Sequence, residues 1–480
     1  MKRLQDKYLI FFFPLIAFVF LLFYSPSVSP LYLYEGFDSC TFKTIGLGIL
    51  DGKIPYTDLF DHKGPILFWM NALGLGMIPG RWGLFILEAI FLTITLIFSY
   101  KAVCLYTDKR KAFFASLLTL IPAVDFITEG NQCEEYMLPF IAVSLYLVLK
   151  YTTGTIKHHP LRYSLFYGLA FGWVFFIRPN DAVSHIGAIM FGAFLIMLTR
   201  KEFKAAIRNA LTFLGGCLLI FIPIICYFQH IGSFDDLLHG TILYNLKYSS
   251  ESGLTEGSIG ILAIPTIIYG GVIYMSRKIG EKVSGFIFIP TLIFTLILIG
   301  KRDYYHYLLP IIPMTTLFFG LCLKGGYKKI AAAICILFAI FSFRQHVMLI
   351  RSLNANEEMS YLYEQTRSLI DMVPDDQKQQ IWNHNLYKMP GDRSPHIYSL
   401  TGIWTNAGIS PGNRVFIFFH RGNFDESISL EANKPVWILA GPHGNESRDD
   451  IFLNGNYTAI GSTSEDCIAK VTLYKLNENN

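Results

Sequence analysis

Apolar segments long enough to cross a lipid bilayer recur along most of this 480-residue chain and constrain its fold more than any other feature. A helical span needs about 17–25 predominantly apolar residues. Only 16% of the residues are charged, against about 25% in an ordinary soluble domain. The pattern predicts a polytopic α-helical membrane protein with about eleven transmembrane helices. They are placed at residues 8–24, 83–103, 112–124, 136–150, 163–177, 182–199, 209–228, 258–275, 284–300, 305–323 and 329–345.

The charges between these segments predict how the chain is oriented. Residues 8–24 follow a short basic start without a small-residue cleavage site, which favours a retained helix over a signal peptide. Basic and acidic connections then alternate along the chain. Because basic connections stay in the cytoplasm, the N-terminus is predicted inside, and eleven spans place the C-terminus outside.

The last part of the chain differs in composition from the apolar segments. Residues 351–480 are rich in Asn, Asp, Gly and Pro. Two apolar runs bounded by turn residues are typical of buried strands, and an amphipathic stretch and a closing strand accompany them. These segments are RVFIFFH (414–420), PVWILAG (435–441), EEMSYLYEQTRSLIDMV (357–373) and CIAKVTLYKL (467–476). We therefore predict a transmembrane domain over 1–350, which includes a long first outer loop (25–82), and a small extracytoplasmic α/β domain over 351–480.

Acidic residues stand on two consecutive outer loops. Glu35 and Asp38 follow the first helix, and Glu134 and Glu135 precede a later span. Acids on neighbouring loops can converge on one cavity, where a carboxylate can act as a general base. They could also hold a divalent metal ion, although no ligand spacing indicates one. The eight cysteines show no metal-ligand spacing either, and free thiols are favoured over a disulfide between Cys40 and Cys133.

Cations also lie at the outer ends of spans, against the positive-inside trend. Charge at the bilayer edge is costly unless it is paired or functional, and a phosphate at head-group depth would pair with these groups. They are Lys63 with its neighbour His62, Arg178, Arg302 and His306. The segment LDGKIPYTDLFDHKGP (50–65) is punctuated by Gly and Pro, so it is predicted to lie along the outer face as short interfacial segments.

The order of these features resembles a known family. An acid after the first helix is followed by GKIPYTDLFDHKGPILFWMNALGLG, acids in the second outer loop and an outer tail. This order resembles the glycosyltransferase C superfamily, in particular its bacterial dolichyl-phosphate-mannose–protein mannosyltransferase-like branch, which includes the aminoarabinose transferases. The resemblance covers residues 8–345 in architecture and is most specific over 35–80, with Gly64 in place of the family's first proline.

The resemblance implies an integral membrane glycosyltransferase of the bacterial inner membrane. Its donor would be a polyprenyl-phosphate-linked sugar, and its acceptor a glycan, lipid or protein hydroxyl outside the cytoplasm, with no nucleic acid as partner. By this resemblance Asp38 is the catalytic base, with Glu35 as the alternative. Glu134 or Glu135 is the second-loop acid. Lys63 lies near the lipid phosphate, where His62, Arg178, Arg302 and His306 are further candidates.

Two other functions remain open from the sequence. A transporter or flippase of lipid-linked saccharides would explain many helices and charge near the membrane. It explains the long first outer loop and the outer tail less easily, and transporters tend to show two related halves with broken helices. A glycan polymerase or ligase of another fold would share the chemistry but not the role of Asp38. Acids of both outer loops around one cavity open to lipid would favour the transferase.

Overall fold

The computed structural model describes residues 8–78, 80–250, 256–278, 285–299, 304–384, 386, 402–416, 428–441 and 448–477. A helix occupies each of the eleven predicted segments, and further helices lie in the outer loops. Among the described residues up to 370, the helices are α1 (Phe13–Tyr24), α2 (Phe37–Leu50), α3 (Pro65–Met77), α4 (Trp82–Cys104), α5 (Lys109–Ile127), α6 (Leu138–Thr152), α7 (Leu161–Phe175), α8 (Pro179–Thr199), α9 (Phe203–His230), α10 (Phe234–Leu238), α11 (Tyr244–Ser250), α12 (Glu256–Lys278), α13 (Gly285–Ile299), α14 (Tyr305–Lys324), α15 (Lys328–Phe341), α16 (Phe343–Asn354) and α17 (Asn356–Ile370).

Not every helix in the described ranges is long enough to cross a bilayer. Within the described ranges, α4, α8, α9, α12 and α14 are long and apolar enough to cross a membrane. The α15–α16 pair, bent by 41°, would add a sixth span. α6 has only 15 residues. A helix of that size is about 22 Å long, less than the roughly 30 Å of a bilayer core. The chain is thus a multi-pass membrane protein, and the figure of eleven spans stays a prediction.

The first outer loop is more ordered than its sequence indicates. Residues 51–64 form turns, as expected of short interfacial segments, but helices α2 and α3 flank them and pack against each other. α2 contains several Gly and Thr residues, which are poor helix formers. Packing outweighs that weak propensity, because most of the α2 side chains are buried.

The tail contains a small mixed sheet. Its strands are β1 (Trp382–His384), β2 (Trp437–Ala440), β3 (Tyr457–Ser462) and β4 (Thr472–Leu476), in the order β1-β2-β4-β3. β1 runs parallel to β2, and β4 is antiparallel to both β2 and β3. The described residues of the tail also include the short helices α18 (Gly402–Ala407), α19 (Leu430–Asn433) and α20 (Arg448–Asn456).

The sequence predicts this tail in part. The helix at 357–373 and the strands in 435–441 and 467–476 correspond to α17, β2 and β4. β1 and β3 are additional. Residues 414–416 of the predicted strand at 414–420 are not in a strand, and its remainder lies outside the described residues.

Hydrogen bonds join the tail to the first outer loop. The ammonium of Lys53 donates to the carbonyl of Pro411 at 2.6 Å, and the amide of Phe60 donates to the carbonyl of Arg414 at 2.8 Å. Arg414 also pairs with Asp236, before α11, at 2.7 Å. The tail has an apolar core of its own, which includes Trp404. Its status as a separate domain over 351–480 remains a prediction.

Candidate active site

An ion cluster fixes the start of the first outer loop. The Glu35 carboxylate is buried and lies 3.2 Å from the Lys43 ammonium and 3.1 Å from the Arg81 guanidinium. It also accepts hydrogen bonds from Cys40 at 3.4 Å and Thr405 at 3.1 Å. Burial opposes its negative charge, but Lys43 and Arg81 outweigh burial and hold the pKa of Glu35 below its usual range. Glu35 is therefore an ionised, fully engaged carboxylate.

Arg81 extends this cluster into the backbone. Its guanidinium donates to carbonyls of the loop between α1 and α2 at 2.7–3.2 Å. The accepting residues are Pro26, Ser27, Leu33 and Tyr34. A rigid guanidinium fork can fix several acceptors at once. The cluster thereby sets where α2 begins.

Asp38 lies in the first turn of α2 and is half-buried. Within the described ranges, its carboxylate has no hydrogen bond or ion pair of its own. It interacts electrostatically with Lys63, Glu129 and His306, which places it among groups from three different parts of the chain. Unlike the Glu35 carboxylate, it is not engaged by hydrogen bonds from the described residues.

Glu129 lies in the loop between α5 and α6, which is the second outer loop predicted from the sequence. It covers the start of α2. It accepts the Phe37 amide at 3.1 Å and the Tyr34 hydroxyl at 2.9 Å. A Cβ atom on Gly36 would lie only 2.1 Å from the Glu129 carboxylate, so the contact requires glycine. Burial, with a smaller contribution from Asp38, raises the pKa of Glu129 to about 7.

Asn131 joins the two outer loops to α3. Its side-chain amide donates to Ser39, next to Asp38, and to Asn71 of α3, both at 2.9 Å. The side-chain oxygen of Asn131 accepts a hydrogen bond from the Tyr136 hydroxyl at 2.7 Å. Asn131 has a φ of 56°, which asparagine tolerates better than most residues. All of these contacts are buried and would hold Asp38 in a fixed place.

The turn that carries Lys63 is seated on the end of α7. The Gly64 amide donates to the Ile177 carbonyl at 2.9 Å, and a Cβ on Gly64 would lie 2.1 Å from the Phe176 carbonyl oxygen. This close approach requires a residue without a side chain at position 64. It places Lys63 beside the turn that leads into Arg178.

Arg178 connects the second outer loop with α8 and α14. Its guanidinium pairs with Glu134, lies 3.1 Å from the Asp181 carboxylate and covers the Tyr307 ring at 3.9 Å from the ring centroid. Glu134 and Asp181 are fully buried. Burial disfavours the charge of Arg178, but the nearby acids outweigh it and raise the pKa of Arg178 well above its usual value.

Glu134 and Glu135 have different surroundings. Glu134 faces Arg178 and His306, and its interactions with these groups outweigh burial and lower its pKa. Glu135 accepts the Gln132 amide at 2.7 Å, and burial together with Glu88 raises its pKa well above the usual value. Glu134 is thus the second-loop acid that faces the cations.

Two further positions, His306 and Arg302, are predicted from the sequence to contribute to phosphate binding. His306 is half-buried, stacks on Tyr304 at 5.5 Å and interacts electrostatically with Asp38 and Glu134. Arg302 lies outside the described residues. Among the described residues, no group of three His, Cys, Asp or Glu side chains could hold a metal ion. Cys40 and Cys133 are buried and do not form a disulfide.

Next to these charges lies a narrow apolar cleft. His185, in the wide π turn of α8, lines the cleft and lies 3.7 Å from Asp181, the partner of Arg178. The other lining residues come from α6, α8, α12, α13 and α14, and they include Ile189, Tyr269, Ile287, Pro310 and Met314. A charged surface and an apolar cleft therefore adjoin each other.

Several members of this site do not appear among the residues predicted from the sequence. Asp181 is visible as the third residue after Arg178 in RPND, but a loop acid alone does not indicate a buried ion pair. Asn131, Arg81 and Tyr307 carry no sequence signal, because only the fold brings them to Asp38, Glu35 and Arg178.

One family model and several solved structures are similar to this chain. Residues 62–227 match the model for dolichyl-phosphate-mannose-protein mannosyltransferase. The curated proteins include no match.

ArnT from Cupriavidus metallidurans bound to undecaprenyl phosphate is 13% identical, with a TM-score of 0.66 over 98% of both chains. Its apo state is 12% identical, with a TM-score of 0.58 over 97% of both chains. Archaeal oligosaccharyltransferase AglB from Archaeoglobus fulgidus is 14% identical over 92% of this chain and 70% of its own, and its TM-score of 0.48 is too low to establish a shared fold. The family match and the ArnT fold confirm the resemblance indicated by the sequence.

Proposed function

We propose that this chain, a multi-pass membrane protein with the glycosyltransferase C fold, transfers a sugar from a polyprenyl-phosphate-linked donor to an extracytoplasmic acceptor hydroxyl. The observation that carries the proposal is the grouping of one available carboxylate, Asp38, with Lys63, Arg178 and His306 beside an apolar cleft. Such a site offers a base and anion-binding groups next to apolar helix surfaces.

The proposed reaction is a direct displacement. Asp38 accepts the proton of an acceptor hydroxyl as its oxygen attacks the anomeric carbon of the donor. The bond from that carbon to the phosphate oxygen breaks, and polyprenyl phosphate leaves with the bonding electron pair. Attack opposite the leaving group inverts the anomeric centre. The acceptor remains a glycan, a lipid or a protein.

Asp38 suits the role of base better than Glu35. Glu35 is engaged by two cations and two further donors, so removing its charge would disturb the loop that positions α2. A general base also needs affinity for a proton, whereas Lys43 and Arg81 lower the pKa of Glu35. We assign Glu35 a structural role in this proposal.

Lys63 and Arg178 are the proposed phosphate-binding groups. Burial opposes the charge of Lys63, but Asp61 and Asp38 raise its pKa, so its ammonium stays charged. Arg178 is held by Glu134, Asp181 and Tyr307. Fixed cations aimed at a leaving phosphate stabilise the charge that develops in the transition state.

The donor lipid is proposed to lie along the helices that line the narrow cleft near Arg178, where it would have to part their side chains. The cleft is lined by apolar side chains from five helices and begins at His185, next to Asp181. A polyprenyl chain there would leave its phosphate at the level of Arg178 and Lys63.

The charges of the site support a transferase over a transporter. A transport path would need polar groups through the centre of the membrane. Lys63 and Arg178 instead lie at the ends of α3 and α8, close to the outer loops that carry Asp38 and Glu134. Acids of both outer loops thus meet at one place, as the transferase requires.

We propose the inner membrane of a bacterium as the location, with the N-terminus in the cytoplasm and the tail outside. The alternating basic connections support this orientation. A reporter that is active only in the cytoplasm should be silent when it is fused after Asn480. Strong reporter activity at that fusion would contradict the orientation.

Lys63→Ala should weaken the binding of undecaprenyl phosphate by at least about tenfold, because a charge-assisted contact of roughly 1.5–3 kcal/mol is lost. Lys63→Arg should keep part of the affinity, since the charge survives but its compact geometry does not. Binding of radiolabelled undecaprenyl phosphate to the purified protein measures both effects. Lys470→Ala, an exposed lysine of the tail, is the control. Unchanged affinity in Lys63→Ala would place the phosphate elsewhere in the site.

A further inference from the structure

In the hydrogen bond between Lys63 and His62, the chemistry of the two groups decides which one donates. The Lys63 ammonium lies 2.8 Å from Nε2 of His62. An ammonium group has three donors and no acceptor. Nε2 therefore accepts through its lone pair, and the imidazole is neutral with its proton on Nδ1.

The surroundings of the His62 ring agree with this tautomer. Nδ1 lies 3.9 Å from the Asp61 carboxylate, so a proton on Nδ1 faces a negative charge. The second oxygen of Asp61 accepts the backbone amide of Lys63 at 2.9 Å. The buried Asp61 carboxylate thus holds the Lys63 backbone and lies near the imidazole of His62.

The ring and backbone of His62 are also fixed by α11. The imidazole stacks on Tyr244 at 5.4 Å with an interplanar angle of 24°. The Asn245 side chain donates to the His62 carbonyl at 2.8 Å. The Tyr56 hydroxyl holds the Lys63 carbonyl at 2.7 Å, so the backbone on both sides of the contact is restrained.

Asp58 does not share in this arrangement. Its carboxylate accepts the Ile54 amide at 2.7 Å and closes the preceding turn. Asp58 therefore has a structural role in the DLFDHK segment. The Lys63 ammonium contacts His62 instead.

We infer that His62 is a positioning residue, which holds the Lys63 ammonium ready for the lipid phosphate and does not itself bind that phosphate. A lysine side chain is flexible, and ordering it during binding costs affinity. A fixed acceptor at its tip removes part of that cost beforehand. A lone pair directed at Lys63 is also a poor match for an anion, which requires a donor. The inference rests on the proposed function, because it needs a phosphate as the ligand of Lys63.

Two substitutions distinguish the effect of the acceptor nitrogen of His62 from that of its aromatic ring. His62→Phe keeps an aromatic ring to stack on Tyr244 but removes the acceptor nitrogen. His62→Gln gives up the stacking but keeps an acceptor oxygen. Undecaprenyl phosphate binding to the purified full chain should weaken about threefold to tenfold in His62→Phe, the range expected for immobilising one flexible side chain. His62→Gln should stay within about twofold of the unaltered protein.

A double-mutant cycle with Lys63→Ala provides the decisive comparison. If His62 acts through Lys63, His62→Phe should change affinity by less than about twofold once Lys63 is alanine. An equal loss in both backgrounds would make His62 a direct phosphate ligand and overturn the inference, as would unchanged binding in His62→Phe alone. If the unaltered protein does not bind undecaprenyl phosphate, the proposed function fails, and this inference fails with it. Melting temperatures of all variants identify any that do not fold.

Discussion

Asp38→Asn is expected to lower turnover by at least about 100-fold, the lower end of what a general base contributes. The amide keeps the size of the side chain but cannot accept the proton of the acceptor hydroxyl. Folding should not change, because in the described part of the chain no hydrogen bond or ion pair depends on the Asp38 carboxylate. Binding of undecaprenyl phosphate should stay within about threefold, since Lys63 and Arg178 remain in place.

The control for Asp38 is Asp235→Asn, which removes an exposed carboxylate before α11 and should leave turnover unchanged. Glu35→Gln should behave differently from both. Its main effect should be a lower melting temperature, because Lys43 and Arg81 lose their buried counter-charge. Turnover near the wild-type value in Asp38→Asn, together with a collapse of turnover in a folded Glu35→Gln, would transfer the role of base to Glu35.

Arg178→Met should destabilise the protein by about 3–5 kcal/mol, because breaking a buried ion pair leaves uncompensated charge behind. Glu134 and Asp181 are both fully buried and both lie against Arg178. Methionine would fill much of the space next to Tyr307 but would neutralise neither acid. The apparent melting temperature in detergent should fall by roughly 5 °C or more.

Glu134→Gln in the Arg178→Met background should recover part of this loss, since one of the two stranded charges is removed. Arg344→Met, on the exposed side of α16, is the matched control and should leave the melting temperature nearly unchanged. An Arg178→Met protein as stable as the control would mean that the acids are neutral in the folded state. The proposed role of Arg178 as a fixed cation would then be lost.

The features predicted from sequence are those that reside in one segment. The apolar periodicity of α9 or α14 is local, so the positions of the long helices follow from it. Lys63 stands out as a cation before Gly64-Pro65 and an apolar run, and Arg178 as a cation that ends an apolar run just before Pro179. Asp38 stands out because it follows the first helix in a pattern that resembles a family.

The features missed from sequence depend on contacts between distant segments. α2 packs against α3 and is helical, whereas its Gly and Thr content predicts no such order. Asn131 and Tyr307 look ordinary until the fold brings them to Ser39 and Arg178. The choice between Glu134 and Glu135 likewise needs the direction of each side chain, since adjacent residues share one sequence environment.

Transfer of a labelled sugar tests the central claim most directly. The purified protein in lipid nanodiscs would be incubated with radiolabelled sugar on undecaprenyl phosphate and with a membrane extract as the pool of acceptors. The predicted result is label on an acceptor together with an equal amount of released undecaprenyl phosphate, with both products formed at least about 100-fold more slowly by Asp38→Asn. If a panel of such donors yields no transfer, or if reconstituted vesicles show the intact donor crossing the bilayer instead, the proposed transferase function is contradicted.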